Sequence, residues 1–234
     1  MLFRLRSVLL VFLCLALFWS QALAGWGDAL NKMGSDMADT AATAAGSPYT
    51  PSEAMAGIKE TLKLGTDSAA NTLGSPGGFS AHPDTALSLP GNLSFPGSSM
   101  LLDSLNGAAE GAIPGVKSTF LDSISSLSVS NPTKAVSGGD TAITQYFEQN
   151  SRDTLAKLVR PIVEQSVQSA GVGDYLGPLA AAQQAAGLGG TAFDPTTYLT
   201  DKTLDSMFYY IGEKEKALRS SGAENASSLL QKLF

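Results

Sequence analysis

The sequence predicts an all-α protein, a single domain of about seven to nine helices packed as an irregular multi-helix bundle. Two observations carry this. No run of alternating apolar and polar residues is long enough to make a strand, whereas apolar residues recur at helical spacing in every ordered segment. In addition, the 11 prolines repeatedly interrupt that pattern, which favours short, irregular helices over a simple four-helix bundle.

The first 24 residues read as a targeting segment. Arg4 and Arg6 precede an apolar run at 8–19, and Ala22-Leu23-Ala24 supplies a small-x-small cleavage signal, with the cut expected after Ala24. The run is shorter than the ~20 residues a membrane-spanning helix needs. No later stretch is longer or more apolar, so no stable transmembrane segment is expected after cleavage. Cys14, the only cysteine, leaves with this segment, so the mature chain is expected to have no disulfide, thiolate nucleophile or cysteine metal site. Losing Arg4 and Arg6 takes Lys+Arg from 15 to 13 against 21 Asp+Glu, a net charge of −8. An acidic chain without a basic cluster is unsuited to nucleic acid. Export to the periplasm or beyond is therefore expected.

Residues 25–50 form an N-terminal extension, weakly helical around Trp26, Leu30, Met33 and Met37 and then linker-like. The helical domain, 51–234, opens at Thr50-Pro51-Ser52-Glu53, where a capping threonine, a first-turn proline and a capping-box glutamate coincide. Met55, Ile58, Leu62, Ala69 and Leu73 make its buried face, and Gly65 marks a close helix crossing or a break. Residues 74–98, dense in proline and glycine, form a long loop whose Phe79, Leu87, Leu89, Leu93 and Phe95 suggest that it packs down. His82, the only histidine, reads as a surface loop residue, since no second histidine or serine nucleophile motif accompanies it.

Residues 98–113 read as a helix ended or kinked by Pro114, and 116–127 as another. Asn131-Pro132 starts a short helix. Asp140 is expected to cap a helix anchored by Ile143, Tyr146 and Phe147. Ser151 is expected to cap the next, with Leu155, Leu158, Val159, Ile162, Val163 and Val167 as its stripe and Pro161 bending it. Residues 178–186 and 224–234 complete the helices, with 171–177 as a turn, 187–191 as a loose link and Asp194-Pro195 as a capped turn leading to Tyr198.

The most organised stretch is 198–219. Thr200 can cap it, Asp201 suits its positive end, and Lys214, Lys216 and Arg219 suit its negative end. Leu204, Met207, Phe208, Ile211 and Leu218 form the buried stripe. Glu215 and Arg219 are expected as an i,i+4 pair on a wet face. Asp201 and Asp205 share a face, with Lys202 within reach of Asp205.

Several of these stretches resemble the bacterial exported family called domain of unknown function 4197. The likeness lies in 56–62, Gly77-Gly78-Phe79, 106–114 with 120–124, the GDTAxTxYF pattern at 139–147, Pro161-Ile162-Val163, the YxTDKxLDxxF pattern at 198–208 with its continuation to Arg219, and 229–234. The long Gly/Ala-rich extension and the low charge of 74–98 depart from the family pattern. The resemblance implies an exported, mostly helical protein of the cell envelope without an established activity, and it carries over no catalytic residues.

No catalytic residues, cofactor or metal ligands are assigned from the sequence. Arg160, beside Pro161, is the first candidate for gripping an anionic group through a two-pronged contact. Its structural alternative is an ion pair with Asp122, Asp140, Asp201 or Asp205. With Asp140, Tyr146, Tyr175, Asp201, Lys202 and Asp205 it makes a candidate binding groove for a small anionic ligand, a peptide or an envelope protein. The competing reading is a hydrolase or transferase in which Asp140, Asp201 and Asp205 hold a metal or act as acid and base.

Overall fold

The structure, a computed structural model, describes residues 48–188 and 192–234. The targeting segment, the extension as far as residue 47 and positions 189–191 of the loose link lie outside the described residues. The chain falls into an N-terminal part that ends at Ala54 and a compact unit, Met55–Phe234. In the N-terminal part the capping box closes as expected. Glu53 N–H donates to Thr50 Oγ1 at 3.2 Å, and Thr50 N–H donates to Glu53 Oε2 at 2.8 Å.

Seven α-helices and no strand occur among the described residues. They are α1 (Pro51–Leu73), α2 (Ser98–Ser126), α3 (Pro132–Val136), α4 (Ala142–Ser169), α5 (Leu176–Ala185), α6 (Pro195–Ser220) and α7 (Ser228–Leu233). The all-α expectation therefore holds. None of the described helices is long and apolar enough to cross a membrane.

Helix α4 is the central element, running closest to α2 on one side and α6 on the other. Phe120 of α2, Phe147 of α4 and Phe208 of α6 meet there with ring centroids 5.3–6.0 Å apart, two of the three pairs edge-to-face. The predicted stripe of α6 is buried throughout.

Several helix boundaries differ from the sequence reading. Pro114 lies inside one continuous helix, Ser98–Ser126. Its ring faces solvent, where water can satisfy the carbonyl it frees, while Leu101 through Ile124 hold both halves against the core. Ser151 is not a cap either, because α4 runs through it and buries it. Phe147, Ser151, Leu155, Val159, Val163 and Val167 recur every four residues as one uninterrupted face. Leu158, assigned to that stripe, is instead 52% exposed. Helix α6 starts earlier than Thr200. Asp194 caps it, accepting from the backbone N–H groups of Thr196 and Thr197, and Thr200 donates within the helix to Thr196 O. The last helix covers Ser228–Leu233 only, capped by Ser227.

The long loop does pack down. Phe79, Thr85, Leu87 and Leu89 are buried, and two tyrosines of α6 tie the loop to the surface. Tyr198 Oη donates to Ser88 O at 2.8 Å and accepts from Ser88 N at 2.9 Å. Tyr209 Oη lies 3.1 Å from His82 Nε2, with the two rings 5.0 Å apart.

Candidate functional site

Helices α4 and α6 run antiparallel, and their polar contacts fall on one register. Glu215 of α6 meets Ile143 and Thr144 near the start of α4, Asp205 meets Arg152, and Thr197 meets Arg160 further along. The seam thus holds three polar stations in chain order.

The first is fully buried. Asp140 was expected to cap α4, but the N-cap is Thr141 and makes no side-chain cap bond. The carboxylate of Glu215, 0% exposed, takes that role from 72 and 71 positions away. It accepts from Ile143 N at 3.0 Å, Thr144 N at 2.8 Å and Thr144 Oγ1 at 2.7 Å. Arg219 completes it, donating from Nε at 3.0 Å and Nη2 at 2.8 Å. Arg219 also donates to Val136 O at 2.6 Å, and its guanidinium lies 4.6 Å over the Phe234 ring. The wet-face reading of Glu215 and Arg219 is therefore overturned. A carboxylate at a helix N-terminus satisfies orphan N–H groups and the dipole together, so burial is tolerated.

The second station is a half-open pocket. Arg152 donates to Glu148 at 2.8 Å and to Asp205, so Asp205 pairs across the seam rather than with Lys202. Desolvation is the largest influence on Arg152 and lowers its pKa, but Asp205 and Glu148 together outweigh it and raise the value. Beside them a cavity of about 300 Å³ is lined by Glu148, Asp205, Tyr209, Glu213 and Thr141 among others. Burial, and then the charges of Glu213 and Asp84, push the Tyr209 phenol up, so Tyr209 stays protonated and serves as a hydrogen-bonding hydroxyl, not as a phenolate nucleophile.

The third station contains Arg160. It donates from Nη1 to Thr197 Oγ1 at 2.8 Å and pairs from Nη2 with Asp194 Oδ2 at 3.3 Å. Asp194 was not among the ion-pair partners considered for Arg160. The Thr197 hydroxyl, opposed in part by desolvation, and then the Thr197 N–H and Arg160 hold the Asp194 carboxyl below its ordinary value. Both side chains of the pair remain half exposed. Next to them lies a shallow groove of about 610 Å³ between Ser88–Asn92 of the loop and Ala192–Tyr198. Leu89, Pro90, Phe193 and Tyr198 give it apolar walls, with the Phe193 and Tyr198 rings 5.4 Å apart. Asp194 and Thr197 form its polar end.

The remaining candidate residues are spread out. Asp140 borders a different groove, with Glu213, Lys216 and Arg219. Asp201 is exposed and has no hydrogen-bond or ion-pair partner among the described residues; the register puts it midway between the two arginine stations. Lys202 is half-buried. Tyr146 donates to Ser128 O at 3.4 Å, and the Tyr175 ring lies beside Gly97. Asp140, Asp201 and Asp205 do not converge, and no three His, Cys, Asp or Glu side chains among the described residues form a metal-holding group. The residues not singled out as site candidates in the sequence are Asp194, Thr197, Tyr198 and Phe193 around Arg160, and Glu148 with Arg152. The i,i+4 spacing of Glu148 and Arg152 was the signal available for the seam.

A family model described as "Protein of unknown function (DUF4197)" matches residues 48–234. No curated protein and no solved structure matches the chain.

Proposed function

We propose, for a chain that belongs to the DUF4197 family, the role of a non-catalytic binding module of the cell envelope, exported through the segment at residues 1–24. The observation that carries this reading is the groove beside Arg160. Small-ligand sites are characteristically concave and mostly apolar, with a few polar groups that fix orientation. Leu89, Pro90, Phe193 and Tyr198 supply the apolar part and Thr197 and Asp194 the polar end, with Arg160 bonded to both just outside the groove. A ligand with an apolar body and a terminal carboxylate suits it. The body lies on the rings, and the carboxylate takes the guanidinium face that Asp194 leaves open to solvent. Because Asp194 already neutralises Arg160, the apolar body supplies most of the affinity and Arg160 mainly selects orientation.

Binding is favoured over catalysis on the chemistry of the side chains. The three aspartates of the catalytic reading stand apart, and Tyr209 is held as a phenol. The test is a thermal-shift titration with medium-chain carboxylates, hydrophobic peptides with free C-termini, and inorganic phosphate. A ligand at a hundred times its Kd adds about 2.7 kcal/mol of stability. The carboxylate-bearing amphiphiles are expected to raise Tm, with the rise weakened in Arg160→Ala and in Tyr198→Ala. A rise that survives both substitutions, or none across the panel, sinks this assignment of the groove.

A further inference from the structure

We infer that α1 is a hinged helix, whose body at residues 58–73 swings away from α6 while α2, α4 and α6 stay packed together. The seam between α1 and α6 is built differently from the rest of the core. Gly65 marks its close approach: a Cβ there would stand 2.9 Å from Ile211 Cγ2 and 3.1 Å from Ile211 Cα. Four hydroxyls on these two helices are buried and make no hydrogen bond, Thr61 and Thr66 on α1 and Thr203 and Ser206 on α6. Thr61 shares the Gly65 face one turn earlier, and Thr203 shares the face of Met207 and Ile211.

Each such hydroxyl has lost its hydration without gaining a partner, a cost that opening the seam returns. Elsewhere α1 stands off from its neighbours more than α4 does from α2 and α6. Its polar ties to α2 are exposed: Lys59 Nζ to Ser125 O at 2.7 Å, and Asp67 with Lys117 at 2.7 Å. Exposed ties of this kind hold weakly. What keeps α1 closed is apolar burial, chiefly Ile58, Leu62 and Leu73, with Leu230 and Leu233 of α7 over Gly57. The hinge is the turn that follows α1, where Gly77 has φ 77°. Beyond it the loop stays latched to α6 by Tyr198 and Tyr209. Opening therefore bares an apolar face of α6, with Met207, Ile211 and Leu218, without unpacking the phenylalanine cluster.

Hydrogen exchange on the full chain tests this. Amides of 58–73 are expected to exchange at least about tenfold faster than those of 147–163, since a local opening lies below global unfolding in free energy. Thr66→Val is expected to slow α1 exchange by about tenfold, the size of one orphaned hydroxyl. Phe120→Leu is expected to speed exchange in α4 and leave α1 at its original rate. One common rate for α1 and α4 overturns the inference. So does Phe120→Leu accelerating both alike, or Thr66→Val leaving α1 unchanged.

Discussion

Helix α6 presents a fully bonded carboxylate to α4, yet it buries two hydroxyls, Thr203 and Ser206, that make no hydrogen bond. Toward α4, both carboxylate oxygens of Glu215 are engaged, and the Phe120, Phe147 and Phe208 rings pack together between α2, α4 and α6. Thr203 and Ser206 of α6, like Thr61 and Thr66 of α1, are equally buried and make no hydrogen bond. Depth of burial is thus the same in the two cases, and polar satisfaction is not. A buried polar group holds a seam together only when it is bonded; otherwise it subtracts from the apolar attraction around it.

The largest effect that would test this contrast comes from Glu215→Ala. It strips the cap from α4 and leaves Arg219 short of its partner in a partly buried site. Urea unfolding is expected to show a loss of about 3–5 kcal/mol, the range for breaking a buried charged pair. A loss below about 1 kcal/mol would mean that water replaces the carboxylate at the α4 terminus and the two seams are alike.

Gly65→Ala comes next. The new methyl meets the Ile211 backbone, and overpacking costs about 1–3 kcal/mol against a helix-propensity gain of about 1 kcal/mol. Net destabilisation is expected in the same unfolding assay. A stabilised variant would show that α1 can shift outward at little cost. The Thr203→Val variant should move the other way. Removing an unbonded hydroxyl at constant shape is expected to stabilise by about 1 kcal/mol, read as a raised urea midpoint at unchanged m.

The smallest effect concerns the exposed end of the α4–α6 seam. The Asp194 carboxyl titrates lower in the folded protein than in the unfolded chain. Its contribution is present above the unfolded aspartate value, about 3.9, and is lost as pH falls through the folded value. The stability gap between the natural protein and Asp194→Asn is therefore expected to be small at neutral pH and to vanish in acid, followed by thermal melts between pH 7 and pH 2. Solvent screening of this half-exposed pair keeps the gap small.

Much of the fold was legible in the residues. The Thr50 and Glu53 capping box, the Asn131 cap, the apolar stripe of α6 and the packed-down loop are as local pattern predicts. The misreadings share a cause. Ser151 and Pro114 resemble helix boundaries locally, yet each lies within a helix whose apolar face continues on both sides of it. Burying that face outweighs one lost bond. At the candidate site, Arg160 stood out beside Pro161, but Asp194 and Thr197 did not, because they lie 34 and 37 positions away.

Helicity, most of the caps and the inward stripes follow from the sequence, because they depend on neighbours within about four residues. The caps of α4 and the partner of Arg160 follow from tertiary packing. Glu215 and Arg219 have the same i,i+4 spacing on a wet face or in a core, and that spacing is blind to what lies opposite. Only the antiparallel register of α4 on α6 sets the Glu215 carboxylate against free N–H groups, and only tertiary packing buries the Thr61, Thr66, Thr203 and Ser206 hydroxyls without partners.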